Sequence, residues 1–331
     1  MNIVILDRMA LGEDIDMSVF EKLGTVTIYE RTAPDEVVER LKDADALLTN
    51  KVVIGKNEMD RLPKLKYIGI NATGTNNIDL EYAAKKNIAV TNVKSYSTDS
   101  VVQHTFALLF YVYEKLRHYD DFVKDGKYCE YGCFTYFGQH FEELAGKTWG
   151  IIGLGEIGRR VADIAKAFGC HVIYYSTSGK NSNPDYERVD FDELLERSDI
   201  ISIHAPLNDR TENLMDRQAF GKMKSNAVLI NVGRGPIVNE NDLLWALNEN
   251  KLAAAGLDVI SVEPMRKDNP LYGYKDSNRL IITPHIAWAT NEARQRLVDE
   301  AYLNLEAFID GEERNSCLLY TSPSPRDTER S

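Results

Sequence analysis

Three polar side chains in the second half of the chain each follow an apolar run with the length of a β-strand. Arg234 lies in NVGRGPIV, Glu263 in SVEP and His285 in TPHIAW. Open α/β sheets bind ligands at the carboxyl ends of their strands, so we expect these side chains at one sheet edge. An arginine fork holds a carboxylate through two parallel hydrogen bonds, and a glutamate-backed imidazole donates a proton to a developing alkoxide. The set predicts hydride reduction of a carbonyl beside a carboxylate, with Arg234 as anchor and His285–Glu263 as proton donor.

The remaining histidines lack such a context, and the sequence assigns no role to them. His285 differs because its strand is expected to run beside the strand that leads to Glu263. The other five are His104, His118, His140, His171 and His204.

A glycine-rich turn, Gly153-Leu154-Gly155-Glu156-Ile157-Gly158, joins an apolar strand to an amphipathic helix. In this context the first glycine permits the tight turn, and the second lets the backbone approach a pyrophosphate. Gly158 allows the helix to pack closely on the strand, and the helix N-terminus attracts the phosphate charge. The segment therefore predicts a dinucleotide site, and the alternative is a glycine-rich turn without a ligand.

The strand after this helix lacks the acidic residue that usually binds the ribose hydroxyls of the adenosine. It ends in Tyr174-Tyr175-Ser176-Thr177-Ser178, with Lys180 close by. A carboxylate would repel a 2′-phosphate, whereas hydroxyl groups beside a lysine would not. We expect NAD as the cofactor, and the sequence leaves NADP open.

Apolar runs of strand length alternate with amphipathic helical stretches along most of the chain, which is typical of parallel sheets covered on both faces. Two successive α/β sheets are predicted, and the last helix, near 290–310, is free to return to the first. A helix from Asp99 to Lys124 is expected from the spacing of its apolar residues. The predicted strands are Ile3–Asp7, Thr25–Tyr29, Ala46–Thr49, Leu65–Ile70, Ala89–Asn92, Thr148–Ile152, His171–Ser176, Ile200–His204, Ala227–Val232, Ala253–Asp258 and Leu280–Thr283.

The composition limits the classes of protein to which the chain can belong. A formal net charge of −12 argues against non-specific nucleic-acid binding, although a local pocket can still hold an anion. The four cysteines show no metal-ligand spacing, so we expect neither disulfides nor a metal site. No apolar run is long enough to cross a bilayer and no signal peptide is evident, so we expect a cytoplasmic protein without a membrane partner.

The last fifteen residues, 317–331, differ in character from the rest of the chain. They begin CLLYTSPSPRD and follow an acidic helix that ends near Asp310-Gly311. Their back-translation resembles a sequencing-library adapter, so we expect a disordered tail that is not native and exclude it from the fold.

Several separated motifs, in order, make the chain similar to the D-isomer-specific 2-hydroxyacid dehydrogenase family, from residue 1 to about 315. They are NATGTNNIDLEYAA, YSTDSVVQHTFALL, ELAGKTWGIIGLGEIGR, MKSNAVLINVGRGPIVNENDL, AAAGLDVISVEP and ITPHIAWAT. The resemblance implies two doubly wound parallel-sheet domains. A flavodoxin-like substrate (catalytic) domain would comprise 1–98 and 288–316, and a Rossmann NAD(P)-binding domain 99–287. It also implies a homodimer formed through the cofactor domain and the long helix.

The resemblance also implies roles for individual residues. Thr73 and Gly74 would offer backbone groups to the substrate carboxylate, alongside Arg234 and His285. The residues implied at the cofactor are Thr73, then Gly153, Gly155, Glu156, Ile157 and Gly158 at the pyrophosphate, Ser176 at the ribose, and Ala205, Val232, Asp258 and His285 at the nicotinamide.

The substrate is less well defined by the sequence than the reaction. The ATGTN segment, the Gln103-His104 pair and ELAGKTWGIIG resemble glycerate dehydrogenases, which are also called hydroxypyruvate reductases. D-lactate dehydrogenase is an alternative. A second alternative, from another class, is a non-catalytic NAD(H)-sensing corepressor on the same fold, although this chain lacks a basic localisation run or a long interaction extension. A flavin-binding Rossmann protein would carry its glycine motif near the N-terminus.

Overall fold

The computed structural model describes residues 1–317 and divides the chain into two compact units. Among the described residues, the first unit comprises Met1–Ser97 and residues 289–317, and the second comprises Thr98–Trp288. Each unit contains one parallel sheet, as the alternation of strands and helices predicted. The α/β class with two doubly wound sheets is thereby confirmed.

The first unit contains a five-stranded sheet in the order β2-β1-β3-β4-β5. Its apolar residues are buried against helices; among them are Leu47 and Ile68, which are fully buried on neighbouring strands. The strands are β1 Asn2–Ile5, β2 Thr25–Ile28, β3 Ala46–Thr49, β4 Tyr67–Ile70 and β5 Ala89–Asn92. The helices are α1 Val37–Leu41, α2 Lys56–Met59, α3 Leu80–Lys85 and, from the end of the chain, α11 Asn291–Ile309, with 3-10 turns at Arg8–Leu11, Ser18–Lys22 and Pro34–Glu36.

The second unit contains a seven-stranded sheet in the order β12-β11-β10-β9-β6-β7-β8. Successive residues of β6 point to opposite faces, so Ile151 packs into one apolar cluster and Ile152 into another. The strands are β6 Thr148–Ile152, β7 His171–Tyr175, β8 Glu187–Arg188, β9 Ile200–Ile203, β10 Val228–Asn231, β11 Ala254–Leu257 and β12 Leu280–Ile282. The helices are α4 Thr98–Tyr113, α5 Leu116–Lys124, α6 Lys127–Glu130, α7 Glu156–Ala167, α8 Phe191–Arg197, α9 Arg217–Lys222 and α10 Glu240–Asn248, with a 3-10 turn at Gly235–Ile237.

The single helix predicted from Asp99 to Lys124 is wrong, because the structure breaks it into α4 and α5 at Lys115. Lys115 has a φ of 56°, which is left-handed, and its Nζ donates to the Asn278 carbonyl at 3.2 Å. Burial of this ammonium lowers the pKa of Lys115. Apolar periodicity continues through the break because it does not report the backbone angle of one residue.

The segment at the end of the described chain continues past the point where the tail was expected to begin. Ser316 forms a bridge with Thr91, and the Cys317 amide donates to the Val90 carbonyl at 2.8 Å. The remainder of the expected tail, 318–331, lies outside the described residues.

Candidate active site

His285 and Glu263 form a hydrogen-bonded pair just beyond the carboxyl ends of β12 and β11, which are neighbours in the sheet. Nδ1 of the imidazole lies 2.7 Å from Oε2 of Glu263. About a quarter of the His285 side chain and a third of the Glu263 side chain remain exposed. The carboxylate accepts a hydrogen bond from Nδ1–H and fixes the orientation of the ring, so Nε2 is the nitrogen left to face a ligand.

The backbone of His285 adopts a conformation that is rare for its residue type. Its φ is 57°, in the left-handed region, and its amide donates to the Asp258 carbonyl at 2.8 Å. The Asp258 carboxylate then accepts the next two amides, those of Ile286 and Ala287, both at 2.8 Å. These bonds hold the turn in a strained conformation that aims the imidazole at the sheet edge.

The Asp258 carboxylate is itself fully buried within a small polar network. Thr283 Oγ1 donates to Oδ1 at 2.6 Å, and His104 Nε2 lies 2.9 Å from that hydroxyl and 3.4 Å from Oδ1. Burial opposes ionisation, but the hydrogen bonds from His104, Thr283, Ala287 and Ile286 outweigh it and lower the pKa of Asp258. The sequence assigned no role to His104. Its contact joins α4 to the residue that follows β12, 179 positions later, which no local pattern signals.

Arg234 is exposed on the loop that leaves β10, and Asn231 shapes that loop. The buried Asn231 amide group accepts from the Gly233 amide and donates to the Arg234 carbonyl, both at 3.0 Å. The guanidinium Nη1 contacts the Gly233 carbonyl at 2.8 Å. Within residues 1–317 no carboxylate lies at ion-pair distance from Arg234, so its charge is available to an anionic ligand.

The Arg234 loop packs directly against the loop that carries Glu263. A Cβ on Gly235 would lie 1.9 Å from the carbonyl carbon and oxygen of Ile260, which are backbone atoms and cannot move aside. Beyond the 3-10 turn, the buried Glu240 carboxylate accepts from the Ser261 amide at 2.7 Å and from its hydroxyl at 2.8 Å. The two loops are therefore one packed unit, and a change in either will move Arg234 relative to Glu263.

We expect Gly235→Ala to destabilise the fold by about 1–3 kcal/mol, the cost of forcing extra volume into a packed region, and to reduce activity beyond that loss. Thermal unfolding and steady-state kinetics on the folded fraction measure the two effects. Gly221→Ala is the matched control, because its Cβ meets nothing within 4 Å on α9. A Gly235→Ala enzyme with normal kcat and KM would show that the two loops are not coupled.

The strand order of the second sheet reverses between β6 and β9, and parallel sheets bind dinucleotides at such a point. The glycine-rich turn follows β6 and therefore lies at this position. A Cβ on Gly158 would be 2.3 Å from the Gly153 carbonyl oxygen, so only glycine fits there. A Cβ on Gly155 would meet nothing within 4 Å, and this residue precedes α7 without a side-chain cap. The open backbone and the uncapped helix N-terminus fit a pyrophosphate.

The other residues implied at the cofactor lie at the same strand ends of the second unit. Ala205 is buried after β9 and packs on Gly153, and Val232 is buried after β10. Ser176 is buried directly after β7, and its Oγ accepts from the Asn181 amide at 3.3 Å. Of the pyrophosphate pair, Ile157 is half-buried on α7, while the exposed Glu156 accepts a hydrogen bond from Thr98 Oγ1 at 2.7 Å. Their contacts with a cofactor stay predictions.

Thr73 and Gly74 belong to the first unit, on the loop after β4. Thr73 Oγ1 donates to the Val93 carbonyl at 2.9 Å, and the Asn92 side-chain amide donates to the Thr73 carbonyl at 2.7 Å. These bonds hold the loop in one shape. Its contact with a substrate carboxylate stays a prediction.

His204, which directly follows β9, does not serve as a second acid. Its Nε2 lies 3.0 Å from Ser202 Oγ, which also accepts from the Trp149 indole at 2.9 Å. Burial lowers the pKa of His204 to about 3, so the ring is neutral at physiological pH.

Within residues 1–317 no group of three or more His, Cys, Asp or Glu side chains is arranged to hold a metal ion. No described helix is both long and apolar enough to span a bilayer.

Comparison with known proteins places the chain in a family. Residues 106–287, more than half of the chain, match the model of the D-isomer specific 2-hydroxyacid dehydrogenase NAD-binding domain. A hydroxypyruvate reductase of Blautia hydrogenotrophica is 41% identical, over 94% of this chain and 98% of its own. Among solved structures, the acyclic imino acid reductase Bsp5 in complex with NADPH and D-Arg is 32% identical with a TM-score of 0.84, over 96% and 100% of the two chains. D-lactate dehydrogenase from Aquifex aeolicus, complexed with NAD and lactic acid, is 28% identical with a TM-score of 0.81, over 98% and 100%.

Proposed function

Because the chain belongs to the D-isomer-specific 2-hydroxyacid dehydrogenases, we propose that it interconverts hydroxypyruvate and D-glycerate, with Arg234, Glu263 and His285 as its catalytic residues. The observation that carries the proposal is the 2.7 Å contact between His285 Nδ1 and Glu263 Oε2, at the sheet edge where Arg234 also lies. The family is one of nicotinamide-dependent oxidoreductases, so the open question is the substrate and not the reaction class.

In the proposed reduction, the Arg234 guanidinium holds the carboxylate of the 2-keto acid and so fixes the position of its C2 carbonyl. A nicotinamide cofactor held at the glycine-rich turn would supply the hydride that reduces C2. His285 donates the Nε2 proton to the C2 oxygen as negative charge develops there, and Glu263 stabilises the protonated imidazole before the transfer. In the oxidation direction His285 accepts the proton of the 2-hydroxyl group.

The choice of hydroxypyruvate rests on similarity to the Blautia hydrogenotrophica reductase, which covers nearly the whole of both chains. The alternative substrate, pyruvate with D-lactate as its product, is favoured by similarity to the Aquifex aeolicus enzyme. The two acids differ by one hydroxyl group on C3. A side chain that hydrogen-bonds this hydroxyl would discriminate between them strongly.

A substrate panel tests this proposal. Hydroxypyruvate, pyruvate, glyoxylate and a bulkier 2-keto acid are each reduced with NADH and with NADPH, and kcat/KM is compared. We expect hydroxypyruvate to give the highest value. A higher value for pyruvate would favour the D-lactate alternative, and no nucleotide oxidation with any acid would favour a non-catalytic NAD(H)-sensing protein.

We also propose that the enzyme is a homodimer that pairs through the segment from α5 to β6. This segment presents aromatic rings to solvent: Phe134 is 90% exposed, Phe137 78% and Phe141 56%. Rings exposed to this extent, close together in the chain, mark an interaction surface. Light scattering after size exclusion should give twice the monomer mass, and Phe134→Asp combined with Phe137→Asp should reduce it to the monomer mass. A wild-type monomer would contradict the proposal.

A further inference from the structure

The loop that follows β7, residues 176–181, folds against the glycine-rich turn. The Asn181 side-chain amide donates to the Leu154 carbonyl at 2.5 Å, and its backbone amide donates to Ser176 Oγ. In a doubly wound dinucleotide fold this loop lies beside the adenosine ribose. A cationic side chain that contacts the 176–181 loop is therefore close to the position expected for the 2′ substituent of that ribose.

Two arginines outside the loop contact it, Arg188 from a few residues further along the chain and Arg210 from a later segment. Arg188, on the edge strand β8, donates to the Gly179 carbonyl at 3.0 Å and to the Asn181 carbonyl at 3.3 Å. Arg210, on the loop after β9, contacts the Ser178 carbonyl at 3.4 Å. With Lys180 on the loop itself, this region of the second unit carries three cationic residues.

Few negative charges lie close enough to compensate these three cationic residues. In the part of the chain that the structure describes, Arg188, Arg210 and Lys180 have no carboxylate within ion-pair distance, although Asp209 neighbours Arg210 in sequence. The nearby Glu187 is paired with Arg197 at 2.8 Å. In a chain with a net charge of −12, such a cluster is a local positive region that favours an anion.

Resting on the proposed function, we propose that Arg188, Arg210 and Lys180 bind the 2′-phosphate of NADP(H), and that the enzyme prefers NADPH to NADH. A phosphate is the group that distinguishes the two nucleotides, and arginine forks bind it with charge-assisted hydrogen bonds. The Thr177 and Ser178 hydroxyls lie on the same loop, in the place where a carboxylate would repel the phosphate. The sequence alone favoured NAD and left NADP open, and the contacts of the two arginines with the loop are the observation that favours NADP here.

Direct binding of NADPH and NADH to the full-length protein, followed by protein fluorescence or calorimetry, tests the assignment without requiring turnover. We expect NADPH to bind at least about 10-fold more tightly. Arg210→Ala and Arg188→Ala should each raise the Kd for NADPH roughly 10-fold, the effect of one charge-assisted hydrogen bond, and leave the Kd for NADH within about twofold. Arg217→Ala is the matched control, since that exposed arginine lies over Trp245 and does not contact the loop.

A second variant keeps the proposal testable if an arginine variant does not fold. Thr177→Asp places a carboxylate on the loop, so it should weaken NADPH binding and leave NADH binding nearly unchanged. Adenosine 2′,5′-bisphosphate should compete better than AMP with the wild-type protein. Equal or tighter binding of NADH, or arginine variants that weaken both nucleotides alike, would overturn the phosphate site. Failure of the proposed function gives a different result, namely tight NADPH binding with no oxidation by any 2-keto acid.

Discussion

Replacing His285 with asparagine is expected to lower kcat for 2-keto acid reduction by about 10²- to 10⁴-fold, the range typical of losing an acid/base group. Asparagine is the informative replacement because His285 has a φ of 57°, and asparagine tolerates this left-handed conformation better than alanine does. The turn held by Asp258 should therefore survive, and the loss can be attributed to the missing proton donor. Steady-state kinetics and nucleotide titration measure the two properties separately.

Two comparisons make the His285 result interpretable. Glu263→Gln keeps a hydrogen-bonding group beside Nδ1 but removes its charge, so we expect a smaller loss than for His285→Asn. His171→Ala removes an exposed imidazole at the start of β7 and should leave kcat unchanged. If His285→Asn turned over at near the wild-type rate, another group would have to donate the proton, and the assignment of the pair would fail.

Replacing Arg234 is expected to produce the second large effect, a fall in kcat/KM of about 10²- to 10³-fold. The estimate corresponds to losing one or two charge-assisted hydrogen bonds to the substrate carboxylate, each contributing about 1.5–3 kcal/mol. Arg234→Ala should raise KM and lower kcat, because a keto acid that is poorly held also presents its carbonyl poorly. The measurement is the kinetics of hydroxypyruvate reduction at saturating nucleotide.

The Arg234→Lys variant separates charge from geometry. Lysine keeps the positive charge but cannot form two parallel hydrogen bonds, so it should recover only part of the loss. Nucleotide affinity should remain close to wild type in both variants. A fall in nucleotide affinity with an unchanged KM for the keto acid would place Arg234 at the cofactor and remove it as the anchor.

Both predictions depend on residues that hold the catalytic groups. Asn231 fixes the Arg234 loop, Asp258 fixes the His285 turn, and Glu240 fixes the loop that carries Glu263. All three supporting side chains are buried polar groups with several hydrogen bonds, so each costs stability when its partners are removed. We infer that the free-energy cost of burying these polar groups is tolerated because they hold the catalytic side chains in fixed positions.

The sequence alone determined the fold class, the glycine-rich turn and the reaction class, because each of these follows from residue types and their spacing along the chain. Alternating apolar runs identified the parallel strands, and the spacing of Gly153, Gly155 and Gly158 identified the turn. The order of Arg234, Glu263 and His285 after three apolar runs was enough to predict that they lie at one sheet edge.

Tertiary structure decided the contacts between segments that are far apart in sequence. It brought His104 to Thr283 and Asp258, packed Gly235 on Ile260, and placed Arg210 beside the loop after β7. It also broke the long helix at Lys115. The physical reason is that such contacts depend on sheet order and on loop backbone angles. Side-chain periodicity specifies which face of an element is buried, but not which distant residue will meet it.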